Sequence, residues 1–332
     1  MRGLVDGDRT SPGPPYTNPR SVARRRFGGK VFRVAVDAGF SCPVRDGTRA
    51  TAGCLFCSID GFRPPASRPK LALSEQVRRA LPGLRRRYPA ATGYLVYLQP
   101  YTSTHGPPER LAAALAEARR CPGTLGIVVG TRPDALPDVV LDLLAATARE
   151  TYLQVELGVQ STDDATLRAM RRGHTWAQAR RAIALLKARG LHVGAHMILG
   201  TPWEPAPSQI AGARRLSAAG IDAVKLHHLQ VLRGSALASL RHPALWSLPS
   251  WRTYAQLAAD FLEQLDARVV VERLCAVAPR RMLLAPRWGV RETIVRAEIC
   301  RILRKRGSRQ GTACRPTHGP RMGVLKTKES QQ

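Results

Sequence analysis

An α/β fold, with a parallel sheet closed or nearly closed into a barrel, is the architecture this sequence predicts. Three observations carry it. Six short apolar, β-branched runs alternate with segments of helical pattern. Two of those helical patterns stop at Gly190 and Gly220, 30 residues apart, and each feeds the next strand, which is the rhythm of repeated βα units. Finally, the unusual polar residues fall where strands end: "GTRPD" after the third, "ELGVQS" closing the fourth, "GTPWE" after the fifth. A doubly wound open sheet shares the rhythm, but a barrel gathers those strand ends around one mouth, where barrel enzymes place their sites.

The strands are expected over 30–37, 93–99, 125–130, 152–158, 191–200 and 222–230. Between them, Pro137 suits the first turn of a helix over 137–150, in which Val139, Val140, Leu143, Leu144 and Thr147 recur at helical spacing. The segment 175–190 opens on Thr175 as N-cap and closes on Gly190. Residues 1–26 and 307–332 are rich in Pro, Gly and Arg without periodicity and read as flexible tails. The loop "GFRPPASRP" (61–69) reads as surface. Residues 241–306 read as a short helix-and-strand cap on a main body of 27–240.

A hydrophobic content of 44% over 332 residues allows a substantial core. No apolar run reaches the roughly 18 residues of a membrane span. The N-terminus lacks a hydrophobic leader and carries Asp6 and Asp8, so the expected compartment is the cytoplasm. The net charge of +28 makes a polyanion a plausible partner, because lysine and arginine gain affinity for phosphates by releasing counterions. An arginine-heavy surface of no binding consequence is the alternative. From Arg301 onward nine basic residues face one acid.

Three of the seven cysteines, Cys42, Cys54 and Cys57, fall within sixteen residues, "CPVRDGTRATAGCLFC". In a reducing compartment clustered thiols point to a metal or to catalysis. Cys54 and Cys57 can reach one centre, and Gly47 and Gly53 let the loop turn so that Cys42 joins them. A structural zinc site lacks its fourth ligand, since His105 and His174 are distant in sequence. A redox CxxC leaves Cys42 unexplained. A [4Fe–4S] cluster held by three thiolates keeps one iron free of protein, open to a small molecule with an amine and a carboxylate, as in S-adenosylmethionine (SAM).

The stretch "GFSCPVRDGTRATAGCLFC" (39–57) resembles the cluster motif CPNRDGTxGxGGCxFC of the YhcC-like subfamily of radical SAM proteins, within the Elp3/MiaB-like group. It departs at Val44 and at Arg49 to Ala52. The resemblance continues through "QPYTST", "VVGTRPDALPDVVLDLL", "VELGVQSTDDATLRAMRRGH", "AHMILGTPWE", "GIDAVKLHHLQVLRGS" and "RRMLLAPRW", covering about residues 27–290. It implies a partial (β/α)6 barrel of TIM type with a short C-terminal α/β extension and flexible basic tails. It also implies an enzyme with a [4Fe–4S] cluster and SAM as cofactors, in which a 5′-deoxyadenosyl radical abstracts a hydrogen from substrate while the protein positions the reactants and excludes water.

By that resemblance Cys42, Cys54 and Cys57 bind the cluster, Phe56 packs near the adenine of SAM, and Gln99 to Thr104, including Thr102, meets the methionyl amine. Gly200 and Pro202 shape the turn that cradles the adenine. Glu156 and Gln160 alternate with Leu157 and Val159, so both can point inward to a ribose hydroxyl or substrate, or bond a barrel neighbour instead. Arg132 has two readings, a contact to the SAM carboxylate or a substrate phosphate, and a salt bridge to Asp134. Lys225 and His227 share one strand face and His228 takes the other. His227, Lys225 and His174 are candidate substrate contacts. Relatives in the group modify tRNA, with the wobble-uridine side chain a recurrent target, so tRNA is the favoured substrate. A small metabolite and a non-enzymatic zinc-bound nucleic-acid module are the alternatives. An acidic flavodoxin or ferredoxin is the expected electron donor. The oligomeric state is not fixed by sequence.

Overall fold

The computed structural model describes residues 13–58, 68–240 and 248–314. All six expected strands form: β1 (Lys30–Val36), β2 (Ala91–Leu98), β3 (Thr124–Thr131), β4 (Tyr152–Gln160), β5 (His192–Leu199) and β6 (Ala223–His228). Helices follow them in turn: α1 (Pro19–Phe27) precedes β1, and α2 (Leu73–Arg87), α3 (Pro108–Arg120), α4 (Asp138–Glu150), α5 (Asp164–Ala169), α6 (Trp176–Ala188) and α7 (Ala206–Ala219) lie between the strands. Thr175 caps α6 in a full capping box with Gln178. The αL residues Gly190 and Gly220 end α6 and α7, as their sequence positions predict. Pro137 is the N-cap of α4 and stands one residue before its first turn.

Past β6 come β7 (Val231–Leu232), α8 (Ala236–Ser239), α9 (Trp251–Gln264), β8 (Val270–Arg273), β9 (Leu283–Ala285) and α10 (Glu292–Lys305). The sheet runs β1-β2-β3-β4-β5-β6-β8 with every pair parallel, and β7 and β9 form a separate antiparallel ribbon. The C-terminal segment therefore adds a seventh strand to the barrel in addition to capping it. β1 and β8 do not pair, yet Arg33 on β1 reaches Glu272 on β8 at 2.6 Å, so the sheet curls until its two edges face each other.

The expected tails are corrected for residues 13–26 and 307–314. Thr17 takes a hydrogen bond from Val271 N on the open edge of β8 and gives its own hydroxyl to Ala267 O at 2.7 Å. Asn18 then caps α1. The Gln310 side chain accepts from Thr17 N at 2.9 Å and donates to Asp266 O and Val269 O at 2.7 and 2.8 Å. An uncovered edge strand leaves unpaired backbone groups, and this strap satisfies them with the Thr17 carbonyl and the Gln310 side chain, from segments that composition alone reads as loop. Residues 1–12 and 315–332, most of the loop at 61–69, and 241–247 lie outside the described residues.

The main core lies between the sheet and its outer helices. Val34, Val96, Val129, Val155 and Val193 from the strands meet Leu111, Leu141, Leu144 and Ile183 from the helices, all essentially fully buried. Burial of each such side chain contributes roughly 1.5–3 kcal/mol. The opposite face of the sheet is mixed, with a smaller apolar cluster of Leu95, Tyr97 and Val128 beside polar side chains such as Arg33, Gln154, Glu156 and Lys225.

Candidate active site

The long loop after β1 carries the three cysteines to the mouth of the barrel. Gly47 and Gly53 sit at φ of 89° and 70°, the left-handed turns the sequence spacing required. Cys42 O accepts from Arg45 N and Asp46 N at 2.8 and 3.1 Å, and Cys57 N donates to Cys54 O at 3.0 Å. Asp46 braces the loop, taking hydrogen bonds from Ser41, Thr48 and His105. The Ser41 bond leads the effects that hold its carboxyl far below the usual range. Arg45 reaches across the loop to Cys57 O at 2.9 Å. Burial pushes the Cys57 thiol up, against the pull of Arg45.

Cys42, Cys54 and Cys57 line one cavity together with Phe56, Gln99, Thr102, Arg132, Glu156, Gln160, Lys225 and His227. The fold thus brings together most of the residues singled out from sequence. Thr102 keeps a buried hydroxyl with no hydrogen-bond partner on this cavity, and Gln160 turns into it from a bulge in β4 with φ of 73°. Thr104 is not among the lining residues. Its hydroxyl is bonded to Thr131 and Ala135 O. Gly200 and Pro202 shape the turn after β5 as expected, but they border a second hollow with Pro249 and Leu257. The β5 residues on the cysteine cavity are His196 and Ile198.

Arg132 adopts the salt-bridge reading: its fork takes both oxygens of Asp134 at 2.9 Å. Burial raises the Asp134 carboxyl, but the Arg132 hydrogen bonds outweigh it and hold the group ionised. The remaining Arg132 nitrogen lies 3.8 Å from Cys54 Sγ. Glu156 also adopts its structural alternative, for both oxygens are engaged within the chain. One meets Arg33, and the other meets His196 and Lys225 at 2.7 and 2.5 Å. His174 is buried without lining the cavity, and burial, reinforced by Arg172, pushes it down to about 3. His228 stacks on Trp288 at 3.9 Å, on the strand face away from His227.

Arg172 carries a part of the site that sequence reading left without a role. It is buried, donates to Gly158 O at 2.6 Å and to Cys54 Sγ at 3.0 Å, and lies 5.9 Å from the Phe56 ring centroid. Nothing in "RRGH" separates it from Arg171, which is exposed with φ of 54°. A buried guanidinium without a carboxylate partner calls for an anion, and thiolate sulfur bound to iron supplies one. Among the described residues no three Cys, His, Asp or Glu side chains are gathered as one metal ion would require. The fit to a cluster rests on three soft thiol donors on one cavity, with the cations of Arg172 and Arg132 beside them.

The profile described as the radical SAM superfamily matches residues 45–206, and that of the radical SAM C-terminal domain matches 221–305. Protein YhcC of Escherichia coli K12 is 34% identical over 293 residues, 88% of this chain and 93% of its own. The chain belongs to the radical SAM superfamily. It is accordingly an enzyme that uses a [4Fe–4S] cluster and SAM, which sets aside the zinc-module and redox-CxxC readings of the cysteines. The radical SAM fold is shared with the solved structure of Elp3 from Methanocaldococcus infernus, at a TM-score of 0.64 and 17% identity, over 84% of this chain and 64% of that one. The tRNA uridine(34) acetyltransferase of Dehalococcoides mccartyi is 28% identical over 218 residues, 60% of this chain and 46% of that protein. No helix among the described residues is long and apolar enough to cross a membrane.

Proposed function

We propose that this radical SAM enzyme modifies tRNA, with the wobble-uridine side chain as its target. The observation that carries the reading is a rim of arginines at the barrel mouth. Arg171, Arg233, Arg280 and Arg281 are exposed there and make no ion pair among the described residues. Arg233 O accepts from Ser58, next to Cys57, and Arg233 N donates to Met282 O, so two of the arginine-bearing loops are tied to each other and to the cysteine loop. A mouth lined this way favours a polyanion over a neutral metabolite. The name of the acetyltransferase relative points to uridine 34 of tRNA. The same surface suits an acidic flavodoxin or ferredoxin as electron donor.

In this reading the cluster and SAM supply a 5′-deoxyadenosyl radical, and the chain supplies position and dryness. Cys42, Cys54 and Cys57 hold the cluster. Gln99 and Thr102 face the methionyl amine, and Gln160, rather than the engaged Glu156, is free to meet a ribose hydroxyl. Val44, Phe56, Ile198 and Leu229 give the cavity apolar wall that excludes water.

The test has two arms. Holoenzyme with SAM is titrated with tRNA across a salt series, for the wild type and for Arg233→Gln/Arg280→Gln/Arg281→Gln. A slope of log affinity against log salt shallower by about 2–3 in the triple variant is expected. Nucleosides from tRNA after turnover are then weighed by mass spectrometry. Unchanged salt dependence together with unaltered nucleosides overturns the tRNA reading.

A further inference from the structure

The cavity extends beyond the cysteine loop to a wall built by β5, β6 and β8, where His196, Lys225, His227 and Arg273 face it. This wall departs from the branched apolar filling usual inside such barrels. Its geometry comes from a bulge. Val224 pairs with Val271, but Lys225 pairs with Arg273, so the register skips Glu272. A bulge re-aims side chains that strict alternation would send to opposite faces. Glu272 turns to Arg33 at 2.6 Å and to Gln154 at 3.0 Å, and Arg273 lines the cavity.

The charges on this wall do not cancel. Arg33, Lys225 and Arg273 are cations, and Glu156 and Glu272 are the carboxylates. Arg33 takes both carboxylates and Lys225 bonds Glu156, which leaves Arg273 with no ion pair among the described residues. Beside it, His227 Nε2 is buried without a hydrogen-bond partner. The His227 ring lies 5.4 Å from that of His196, and burial, followed by the charge of Arg273, keeps it neutral. A neutral ring with an unused nitrogen and an unpaired guanidinium share one wall of a substrate-sized cavity. Buried polar atoms are normally satisfied, and His227 Nε2 lacks only a ligand; Arg273 beside it is exposed, so its guanidinium is open to an incoming anion.

We propose that Arg273, His227 and Lys225 form a subsite for a small anionic group of the substrate, a carboxylate or a phosphate. The inference rests on this cavity being where substrate is taken, and it adds a recognition element separate from the arginine rim. Arg273 supplies the guanidinium fork that matches either anion, His227 a directional N–H, and Lys225 a point charge already oriented by Glu156.

The test uses reconstituted holoenzyme saturated with SAM, so that the methionyl carboxylate has its own site filled. Acetate and inorganic phosphate are titrated separately and followed by ligand NMR line width. Saturable binding of one of them is expected, and which one binds identifies the group. Arg273→Gln should weaken that binding by at least about tenfold, Arg273→Lys by less, and Arg86→Gln at the far end of α2 not at all. His227→Ala should weaken it as well, with circular dichroism checking that this interior variant is folded. Absence of saturable binding by both anions, or equal binding by Arg273→Gln and wild type, overturns the subsite. No tRNA enters the experiment, so its failure and the failure of the tRNA reading are told apart.

Discussion

Along β4, Val155, Leu157 and Val159 are fully buried against the helix layer, whereas Gln154 and Glu156 face the barrel interior and bond Arg33, Lys225 and Glu272. β6 repeats the division, with Val224 and Leu226 in the outer core and Lys225 and His227 inside. Two faces of the same strands thus follow different rules. The outer face tolerates any apolar side chain of suitable volume. The inner face depends on its buried charges, Glu156 and Lys225, finding partners, because an unpaired charge at that depth is costly. Stability is spread over the first and chemistry concentrated on the second.

Breaking the inner face at the cysteines gives the largest expected effect. Cys57→Ala should lose its iron and its SAM cleavage, scored as 5′-deoxyadenosine under anaerobic reduction, while its thermal unfolding stays close to wild type. A parallel collapse of folding would mean that this loop belongs to the stability face after all.

Within the charge network, Glu156→Gln leaves Arg33 and Lys225 facing an amide. Denaturant unfolding should show a loss of roughly 3–5 kcal/mol. A loss below about 1 kcal/mol would show that water compensates these cations and that the interior is less demanding than its bonding suggests. On the outer face, Leu144→Ala should cost about 2–5 kcal/mol, with SAM cleavage by the remaining folded protein unchanged. If cleavage falls in proportion, the two faces are coupled.

The smallest effect sharpens the comparison through pH. Burial pushes His228 down to about 3, from an ordinary value of 6.5. Between those values the unfolded chain binds the proton and the native chain does not, so stability is lost as pH falls from about 6.5 toward 3. The loss is at most about 1.4 kcal/mol per pH unit for this one group. His228→Phe keeps a ring for Trp288 and should flatten the acid limb of the stability curve by that amount. An unchanged limb would assign it to the other buried histidines.

The outer face was the legible one. Its strands and helices announce themselves by periodicity, and the Thr175 box, Gly190 and Gly220 fall where local chemistry puts them. The cysteine loop was equally readable, because three thiols at fixed spacing have few other uses. β8 was missed because its run, Val270 to Arg273, is four residues long and half charged, and its strand character comes from pairing with β6. Arg172 was missed because its role depends on Cys54, 118 positions earlier. The second hollow at Gly200 and Pro202 depends likewise on Pro249 and α9 arriving from a distant part of the chain. What sequence could not supply was juxtaposition.

The strap at the base of the barrel bears on the order in which the molecule is completed. Thr17 and Gln310 are joined across 293 residues of sequence, and between them they seal the edge of β8. During synthesis the first half of this seam leaves the ribosome long before the second exists. Until residue 310 emerges, the nascent sheet carries an open flank, and closing it pays the entropy of a very long loop. The seam therefore cannot close before the C-terminal segment around residue 310 has been made.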